Sequence, residues 1–299
     1  MIEQETRRLR LDIAYDGTDF LGWAKQPGLR TVQGVLEDAL AVLFAKHDKK
    51  PVLSVAGRTD AGVHAIGQVA HVDLTDAQLE SLDVARGTHP RRHDGPAALA
   101  RRLNGIAGLQ SDVHVTRSDF APPGFDARFS AVWRRYEYRI ADAVAPRNPL
   151  LRNHTVWFPA ELDVDAMNAA AWSLLGLHDW VAYCKPREGA TTIRTLQDFT
   201  WERVDGGILV ARLRADAFCH SMVRALVGAT VAVGQGKLAV SDAVAIRDAA
   251  ERTSAYKVMP AKGLSLLEVG YPDAEGMAAR AELTRQRRDA RLTEQGRID

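Results

Sequence analysis

The apolar positions of residues 9–118 change their spacing from one segment to the next, and these changes predict the fold. Every second residue from Leu9 to Tyr15 is apolar, which predicts a strand with one buried face. Residues Val32–Leu43 carry apolar side chains three or four positions apart, which predicts an amphipathic helix that Thr31 is placed to cap. The segments that follow predict strands at Val52–Ala56 and Gln68–Leu74, a helix at Ala97–Leu103 and a strand at Val113–Ser118. This order predicts an α+β unit of ferredoxin-like type.

A comparable series of elements is predicted for the second half of the chain. Asp163 is placed to cap a helix whose apolar residues include Met167 and Ala171. Asp205-Gly206 separates two strand-like segments, a pair that is typical of hairpin turns. The remaining predictions are strands at Val132–Ile140, Leu196–Val204, Gly207–Leu213 and Leu264–Tyr271, and helices at Phe218–Val233 and Ser241–Arg252.

Together these elements predict the α+β class, with two ferredoxin-like or RRM-like α/β halves, mainly antiparallel sheets and a central active-site cleft around which the halves are joined. The halves are assigned to residues 1–118 and 119–272. Residues 273–299 are charged and rich in Ala, Arg and Glu, so they predict either a surface helix or a disordered tail. Residues 82–96 are polar, contain Pro and Gly, and predict a long flexible loop.

The composition favours a globular protein of the cytoplasm. The chain has 299 residues, 46% of them hydrophobic and 26% charged, which suits two domains with ample cores. No apolar run is long enough to span a bilayer, and the charged residues 1–10 do not resemble a signal peptide, so no membrane association is expected. Cys184 and Cys219 lack the spacing of a metal-binding motif, and two thiols suit a reducing compartment.

The segment Gly57–Ala65 reads Gly-Arg-Thr-Asp-Ala-Gly-Val-His-Ala and lies between two predicted strands. Its glycines allow a tight bend and the close approach of a ligand. Arg58 and Asp60 are two positions apart, so both can point into one cleft from a turn that a sheet holds in place. The alternative is an ordinary turn in which Asp60 caps backbone amides and Arg58 is solvated.

Basic residues are concentrated in two places, although the net charge of the chain is only +1. Residues 86–102 contain five arginines and two histidines against a single acid. The second cluster, Arg128, Arg134, Arg135 and Arg139, is interleaved with Phe129, Trp133, Tyr136 and Tyr138. Arginine mixed with aromatic residues is typical of surfaces that bind a polynucleotide through phosphate contacts and base stacking. The alternative for either cluster is a solvated strand face.

Five blocks of the sequence resemble, in the same order, motifs of the tRNA pseudouridine synthase A family. They span residues 9–271 and comprise Tyr15-Asp16-Gly17 with Trp23 and Thr31-Val32-Gln33, the segment Gly57–Ala65, Phe125–Ala131 with Arg135–Tyr138, Phe218 with His220 and Met222-Val223-Arg224, and Pro260-Ala261 with Gly263-Leu264. The resemblance implies an isomerase that converts uridine to pseudouridine in the anticodon stem-loop of tRNA, at positions 38, 39 and 40. It also implies a homodimer that binds tRNA and needs no cofactor.

The resemblance assigns roles to individual residues. It makes Asp60 the catalytic carboxylate, acting either as a nucleophile at C1′ or as a base at C2′ of a flipped-out nucleotide, a choice that the sequence leaves open. It gives Arg58 contact with the RNA backbone and a part in flipping the base. His64 and Arg128 are further substrate-binding candidates.

Two residues of the second half complete the predicted catalytic group. Arg224 lies in a largely apolar helix, where a cation must either be paired or extend to solvent, and the resemblance makes its partner Asp60. The alternative is a pair with another carboxylate such as Asp216. Tyr136 matches the active-site tyrosine of the family, which would stack on the target base and help to remove the C5 proton. Without the resemblance, Tyr136 would more often belong to an apolar core.

No metal site is predicted, because His64 and His71 lack a third clustered ligand. Two other functions remain open at this point. A non-catalytic RNA-binding protein would explain the arginines and aromatics, but it gives Asp60 no purpose beside phosphates. A glycoside hydrolase would use Asp60, but such enzymes generally need two carboxylates, and the signature segment contains one.

Overall fold

The computed structural model describes residues 5–83, 95–108, 110–185 and 191–295. The chain divides into two units. The first unit runs to Ala131 and also includes Tyr271–Arg288, and the second is formed mainly by Val132–Gly270. Most of the arginine-rich segment 86–102 and of the predicted loop 82–96 lies outside the described residues.

The first unit contains a small antiparallel sheet and helices. Its strand β1 pairs with β3 on one side and with β4 on the other, and β2 pairs with β3, which gives the order β4-β1-β3-β2. This is the ferredoxin-like order that the sequence predicts. The elements are β1 (Thr6–Tyr15), α1 (Val32–Leu43), β2 (Ser54–Val55), β3 (His64–Thr75), α2 (Asp76–Leu82), α3 (Ala97–Ala107) and β4 (Val113–Phe120).

Sequence patterns explain the elements of the first unit. Leu9, Leu11 and Ile13 are at most 1% exposed, and the residues between them are half-buried, as the alternation predicts. Thr31 caps α1, because its Oγ1 accepts the backbone N–H of Gly34 at 3.2 Å. The predictions of β1 and α1 are therefore confirmed.

The second unit repeats this strand order. Strand β5 lies between β9 and β10, β8 pairs with β9, and β7 pairs with β8, all antiparallel, which gives the order β10-β5-β9-β8-β7. A short strand, β6, pairs with β5 in parallel. The elements are β5 (Trp133–Ala141), β6 (Val156–Trp157), α4 (Val164–Ser173), β7 (Gly176–Asp179), β8 (Ile193–Arg203), β9 (Leu209–Ala215), α5 (Met222–Gly234), α6 (Val240–Asp248) and β10 (Leu264–Gly270). The prediction of a mixed α/β fold with mainly antiparallel strands is confirmed.

Two local predictions in the second unit are also confirmed. Oδ1 of Asp163 accepts the N–H of Ala166 at 3.0 Å and caps α4. Strands β8 and β9 form the predicted hairpin, and Gly206 and Gly207 in its turn have φ angles of 78° and 75°. Glycine adopts such angles without the steric cost that a side chain would impose.

Other boundaries differ from the predictions. The strand predicted at Val52–Ala56 is only two residues long, and the one predicted at Gln68–Leu74 begins earlier, at His64. The helix predicted from Phe218 begins at Met222, because Ser221 has a left-handed backbone with φ of 64°. The helix predicted to reach Arg252 ends at Asp248, two residues before Ala250, whose φ is 54°.

The charged segment at the end of the chain forms a helix, α7 (Gly276–Gln295). Met277 and Ala281 of this helix are 5% and 1% exposed, so its first half packs against the first unit. Arg285 of α7 lies 3.2 Å from the carboxylate of Asp126. Across the described residues, no helix is both long and apolar enough to cross a membrane.

Candidate active site

The signature segment forms the connection between β2 and β3. The N–H of Val63 donates to the carbonyl of Asp60 at 3.2 Å, and Gly62 has a φ of 76°. A turn with a positive φ only at its third residue is of type II, and glycine is the residue that fits there. Asp60 is the first residue of this turn and is half-buried, whereas Arg58 is exposed.

The segment after β1 holds this turn in place through its backbone. The N–H of Trp23 donates to the carbonyl of Thr59 at 3.1 Å, and the N–H of Gly62 donates to the carbonyl of Phe20 at 3.2 Å. Gly17 passes so close that a Cβ there would lie 2.1 Å from the carbonyl oxygen of Val63. The backbone on both sides of Asp60 is therefore fixed, which is what a precisely oriented carboxylate requires.

A buried hydrogen-bond network lies under the turn. The hydroxyl of Tyr15, a residue that is 5% exposed, is 2.7 Å from Oγ1 of Thr59. Gln68 donates from Nε2 to the Tyr15 hydroxyl at 3.3 Å and to the carbonyl of Gly57 at 2.9 Å. Burial raises the pKa of Tyr15 to about 12, so its hydroxyl stays neutral near pH 7. The sequence patterns assign no role to Thr59 or Gln68. The available signal is their position, because Thr59 lies in the signature segment and Gln68 follows it closely.

His64 is buried, with 6% of its surface exposed. Its Nδ1 accepts the N–H of Gly17 at 3.0 Å and lies 3.1 Å from a carboxylate oxygen of Asp16. His64 therefore connects the signature segment to the segment after β1, while its predicted contact with substrate remains a prediction.

Arg128 is exposed in a segment that Asp126 organises. Oδ1 of Asp126 accepts the N–H groups of Arg128 and Phe129, each at 2.8 Å. Burial works against ionisation of this carboxyl, yet the hydrogen bond from the Phe129 backbone and the neighbouring charges lower the pKa of Asp126. The guanidinium of Arg128 lies 5.6 Å from the centre of the Phe129 ring. The backbone of Arg128 is fixed, and its side chain is at the surface.

In the second unit, Tyr136 is half-buried on β5, between Leu213 of β9 and Leu266 of β10. Its ring packs perpendicular to the ring of Phe218, with ring centres 5.2 Å apart and planes at 88°. Tyr138, two positions along the strand, is 0% exposed, and its hydroxyl donates to the carbonyl of Pro260 at 2.7 Å. Tyr138 is thus a core residue, whereas the ring of Tyr136 is only partly covered.

Arg224 is half-buried in the first turn of α5. Its Nη2 donates to Oγ of Ser221 at 3.0 Å, and its Nη1 lies 3.4 Å from the carbonyl oxygen of Met259. Burial raises the pKa of Tyr138, and the positive charge of Arg224 opposes that rise. Asp216, the alternative partner, accepts the N–H groups of Thr195 and Ala217 at 3.0 and 2.7 Å.

The predicted residues fall into two groups. Arg58, Asp60, His64 and Arg128 belong to the first unit, and Tyr136 and Arg224 belong to the second. Asp60 and Arg58 share one connection, as predicted, and the pairing of Asp60 with Arg224 remains a prediction. Within the described parts of the chain, no group of three or more His, Cys, Asp and Glu side chains is arranged to hold a metal ion.

Comparisons with known proteins identify the family to which the chain belongs. The profile of a family described as tRNA pseudouridine synthase matches residues 13–103 and 170–272. The chain belongs to this family. It is 61% identical to a tRNA pseudouridine synthase A of Leifsonia xyli subsp. xyli over 287 residues, which cover 95% of this chain and 98% of that protein.

Two further relatives with the same name are similar to this chain over most of its length. A tRNA pseudouridine synthase A of Frankia casuarinae is 52% identical, with 93% of this chain and 94% of that protein covered. A protein of the same name from Streptomyces avermitilis is 50% identical, with 94% of each chain covered. The resemblance that the sequence motifs carry is therefore confirmed.

Proposed function

We propose that this chain isomerises uridine to pseudouridine in the anticodon stem-loop of tRNA, at positions 38, 39 and 40. The observation that carries the proposal is the placement of Asp60, half-buried at the first position of a turn that hydrogen bonds hold on both sides. The family membership supplies the reaction and the RNA substrate.

The reaction defines what the residues must do. The bond between N1 of the uracil and C1′ breaks, the base turns, C5 bonds to C1′, and the proton on C5 leaves while N1 gains one. These steps balance without an oxidant or a second substrate. Asp60 acts as an ionised carboxylate, either on C1′ or on the proton at C2′. Because the target lies in a folded RNA arm, its nucleotide is flipped out to reach the carboxylate.

Arg224 is proposed to pair with Asp60 and to keep it ionised. Its position supports this role, because a cation in the first turn of a helix lies at the positive end of the helix dipole, where it is unfavourable. A carboxylate nearby would offset that cost. The contacts to Ser221 and Met259 use neutral acceptors, so a carboxylate beside Arg224 would supply a negative charge that these two contacts do not.

Tyr136 is proposed to stack on the flipped uracil and to assist removal of the C5 proton. Its ring packs perpendicular to that of Phe218 and the residue is only half-buried, which supports contact with a ligand. Tyr138 of the same strand cannot take this role, because its hydroxyl is bonded to Pro260 and the residue is fully buried.

The remaining assignments concern RNA binding and assembly. We propose that the exposed guanidinium groups of Arg58 and Arg128 contact the RNA backbone, and that His64 supports the catalytic turn close to the substrate. Two copies of the chain would form a cytoplasmic homodimer that holds one tRNA across both subunits. Light scattering on purified protein, with and without tRNA, tests the dimer.

Incubation of the purified protein with unmodified tRNA, followed by mapping of pseudouridine, tests the proposed reaction. An RNA-binding protein without catalysis would leave the uridines unchanged. A glycoside hydrolase would release free base instead of forming a carbon-linked nucleoside.

A further inference from the structure

Ser221 has an unusual backbone conformation immediately before α5. Its φ and ψ angles are 64° and 3°, which lie in the left-handed region. Among the residues that the structure describes, the other non-glycine residue with positive φ is Ala250. Serine is not favoured in this region, so the surrounding structure must hold it there, and such residues are frequent at functional sites.

The side chain of Ser221 does not perform the usual task of a serine before a helix. Such a serine generally has an extended backbone, and its hydroxyl accepts an N–H of the first helical turn. Ser221 makes no such capping bond. Its Oγ accepts a hydrogen bond from Nη2 of Arg224 at 3.0 Å instead.

The geometry of the helix brings these two side chains together. Helical side chains lean towards the N-terminus, so the guanidinium of Arg224 extends back past the start of α5 and over Ser221. The carbonyl of Met259 lies 3.4 Å from Nη1, and the N–H of Met259 donates to the carbonyl of Arg224 at 3.1 Å. Contacts at both terminal nitrogens fix the plane of the guanidinium, and both acceptors are uncharged.

We infer that Ser221 is a positioning residue that aims the Arg224 guanidinium at the catalytic carboxylate. This inference rests on the proposed function of Arg224. The left-handed conformation of Ser221 points its hydroxyl at Nη2 and completes a turn that leads into α5, in which the N–H of Met222 donates to the carbonyl of Cys219 at 3.1 Å. An uncharged acceptor such as the Ser221 hydroxyl orients the guanidinium and leaves its charge in place. A carboxylate at the same position would neutralise that charge.

Three variants test this inference. Ser221→Gly accepts the left-handed backbone and lacks the hydroxyl, so we expect an unchanged or higher thermal midpoint. Its kcat in tRNA pseudouridylation should fall by about tenfold, the value of one hydrogen bond to a charged group, with little change in KM. Ser221→Asn tolerates the same backbone and supplies an amide oxygen as acceptor, so it should recover part of the lost kcat. Ala250→Gly is the matched control, because it relieves the other left-handed residue and should leave kcat unchanged.

Arg224→Leu, measured in the same assay, distinguishes a failure of this inference from a failure of the proposed function. If Arg224→Leu is inactive while Ser221→Gly turns over at the wild-type rate, Ser221 does not position Arg224 and the proposed role of Arg224 stands. An Asn variant as slow as the Gly variant would also contradict the inference. If Arg224→Leu keeps normal activity, the proposed role of Arg224 itself is wrong.

Discussion

The hydroxyl of Tyr15 on β1 lies 2.7 Å from Oγ1 of Thr59, the residue that precedes the Asp60 carboxylate. Tyr15→Phe removes this bond and one acceptor of Gln68 from a buried network. We expect the free energy of unfolding to fall by about 1 kcal/mol, and kcat to fall as well because the turn that carries Asp60 loses a support. Urea denaturation and single-turnover kinetics measure the two effects.

Tyr183→Phe is the control for this prediction, because its hydroxyl donates to the carbonyl of Ala243 at 2.7 Å within the second unit, whereas the turn that carries Asp60 belongs to the first. It should lose similar stability and keep its turnover rate. Equal turnover in both variants would show that the Tyr15 bond has no part in holding the catalytic turn.

Tyr136 and Tyr138 lie two positions apart on β5 but should respond in opposite ways to replacement by Phe. Tyr136→Phe keeps the stacking ring and loses the hydroxyl, so tRNA binding should persist while the single-turnover rate falls about a hundredfold or more. Tyr138→Phe leaves the carbonyl of Pro260 without its donor, so it should lower the thermal midpoint and leave the rate near normal. A destabilised but active Tyr136→Phe protein would remove Tyr136 from the catalytic group.

Arg224→Leu should lower kcat strongly with little loss of stability. Replacing a partly buried cation by an apolar group can be neutral for folding, whereas Asp60 would lose the cation that is proposed to pair with it. Arg224→Lys keeps the charge but not the planar set of donors, so it should recover only part of the activity. Normal turnover of the Leu variant would rule out the pairing with Asp60.

The two cysteines offer a test that depends on pH. Interaction between the two thiols lowers the pKa of Cys219 and raises the pKa of Cys184, and the thiol of Cys219 also donates to the carbonyls of Thr191 and Thr192, each at 3.7 Å. Because the thiolate is the nucleophile, iodoacetamide near pH 7.5 should alkylate Cys219 before Cys184. Cys184→Ala removes the interaction between the thiols and raises the pKa of Cys219, so the alkylation of Cys219 at this pH should become slower. Mass spectrometry of peptides from timed samples measures both rates, and an unchanged rate would contradict this interaction.

Local sequence signals predict much of this fold, because they depend on neighbouring residues. The alternation in β1, the cap at Thr31 and the cap at Asp163 each act within a few positions, and each appears where it is predicted. The signature segment likewise places Arg58 and Asp60 on one connection between strands.

Features that depend on distant contacts or on backbone strain are not visible in the sequence. Strand β3 begins at His64, and Ala65 pairs with Tyr15 of β1. The compact turn that starts at Asp60 permits this early pairing. The thiol of Cys219 donates to the carbonyls of Thr191 and Thr192 at 3.7 Å, and these residues lie 28 and 27 positions away in the chain, so the sequence does not reveal the contact. The helix predicted from Phe218 includes Ser221, and only the backbone angles of Ser221 show that α5 starts after it.

The most direct test of the proposed function compares the wild-type protein with Asp60→Asn on the same unmodified tRNA. Asn keeps the shape of the side chain but lacks the charge that either proposed role of Asp60 requires. The wild-type protein should form pseudouridine at positions 38, 39 and 40, and the variant should fold, bind tRNA with similar affinity and form none. Pseudouridine formation by the variant above a few per cent of the wild-type rate, or none by the wild-type protein, would contradict the account.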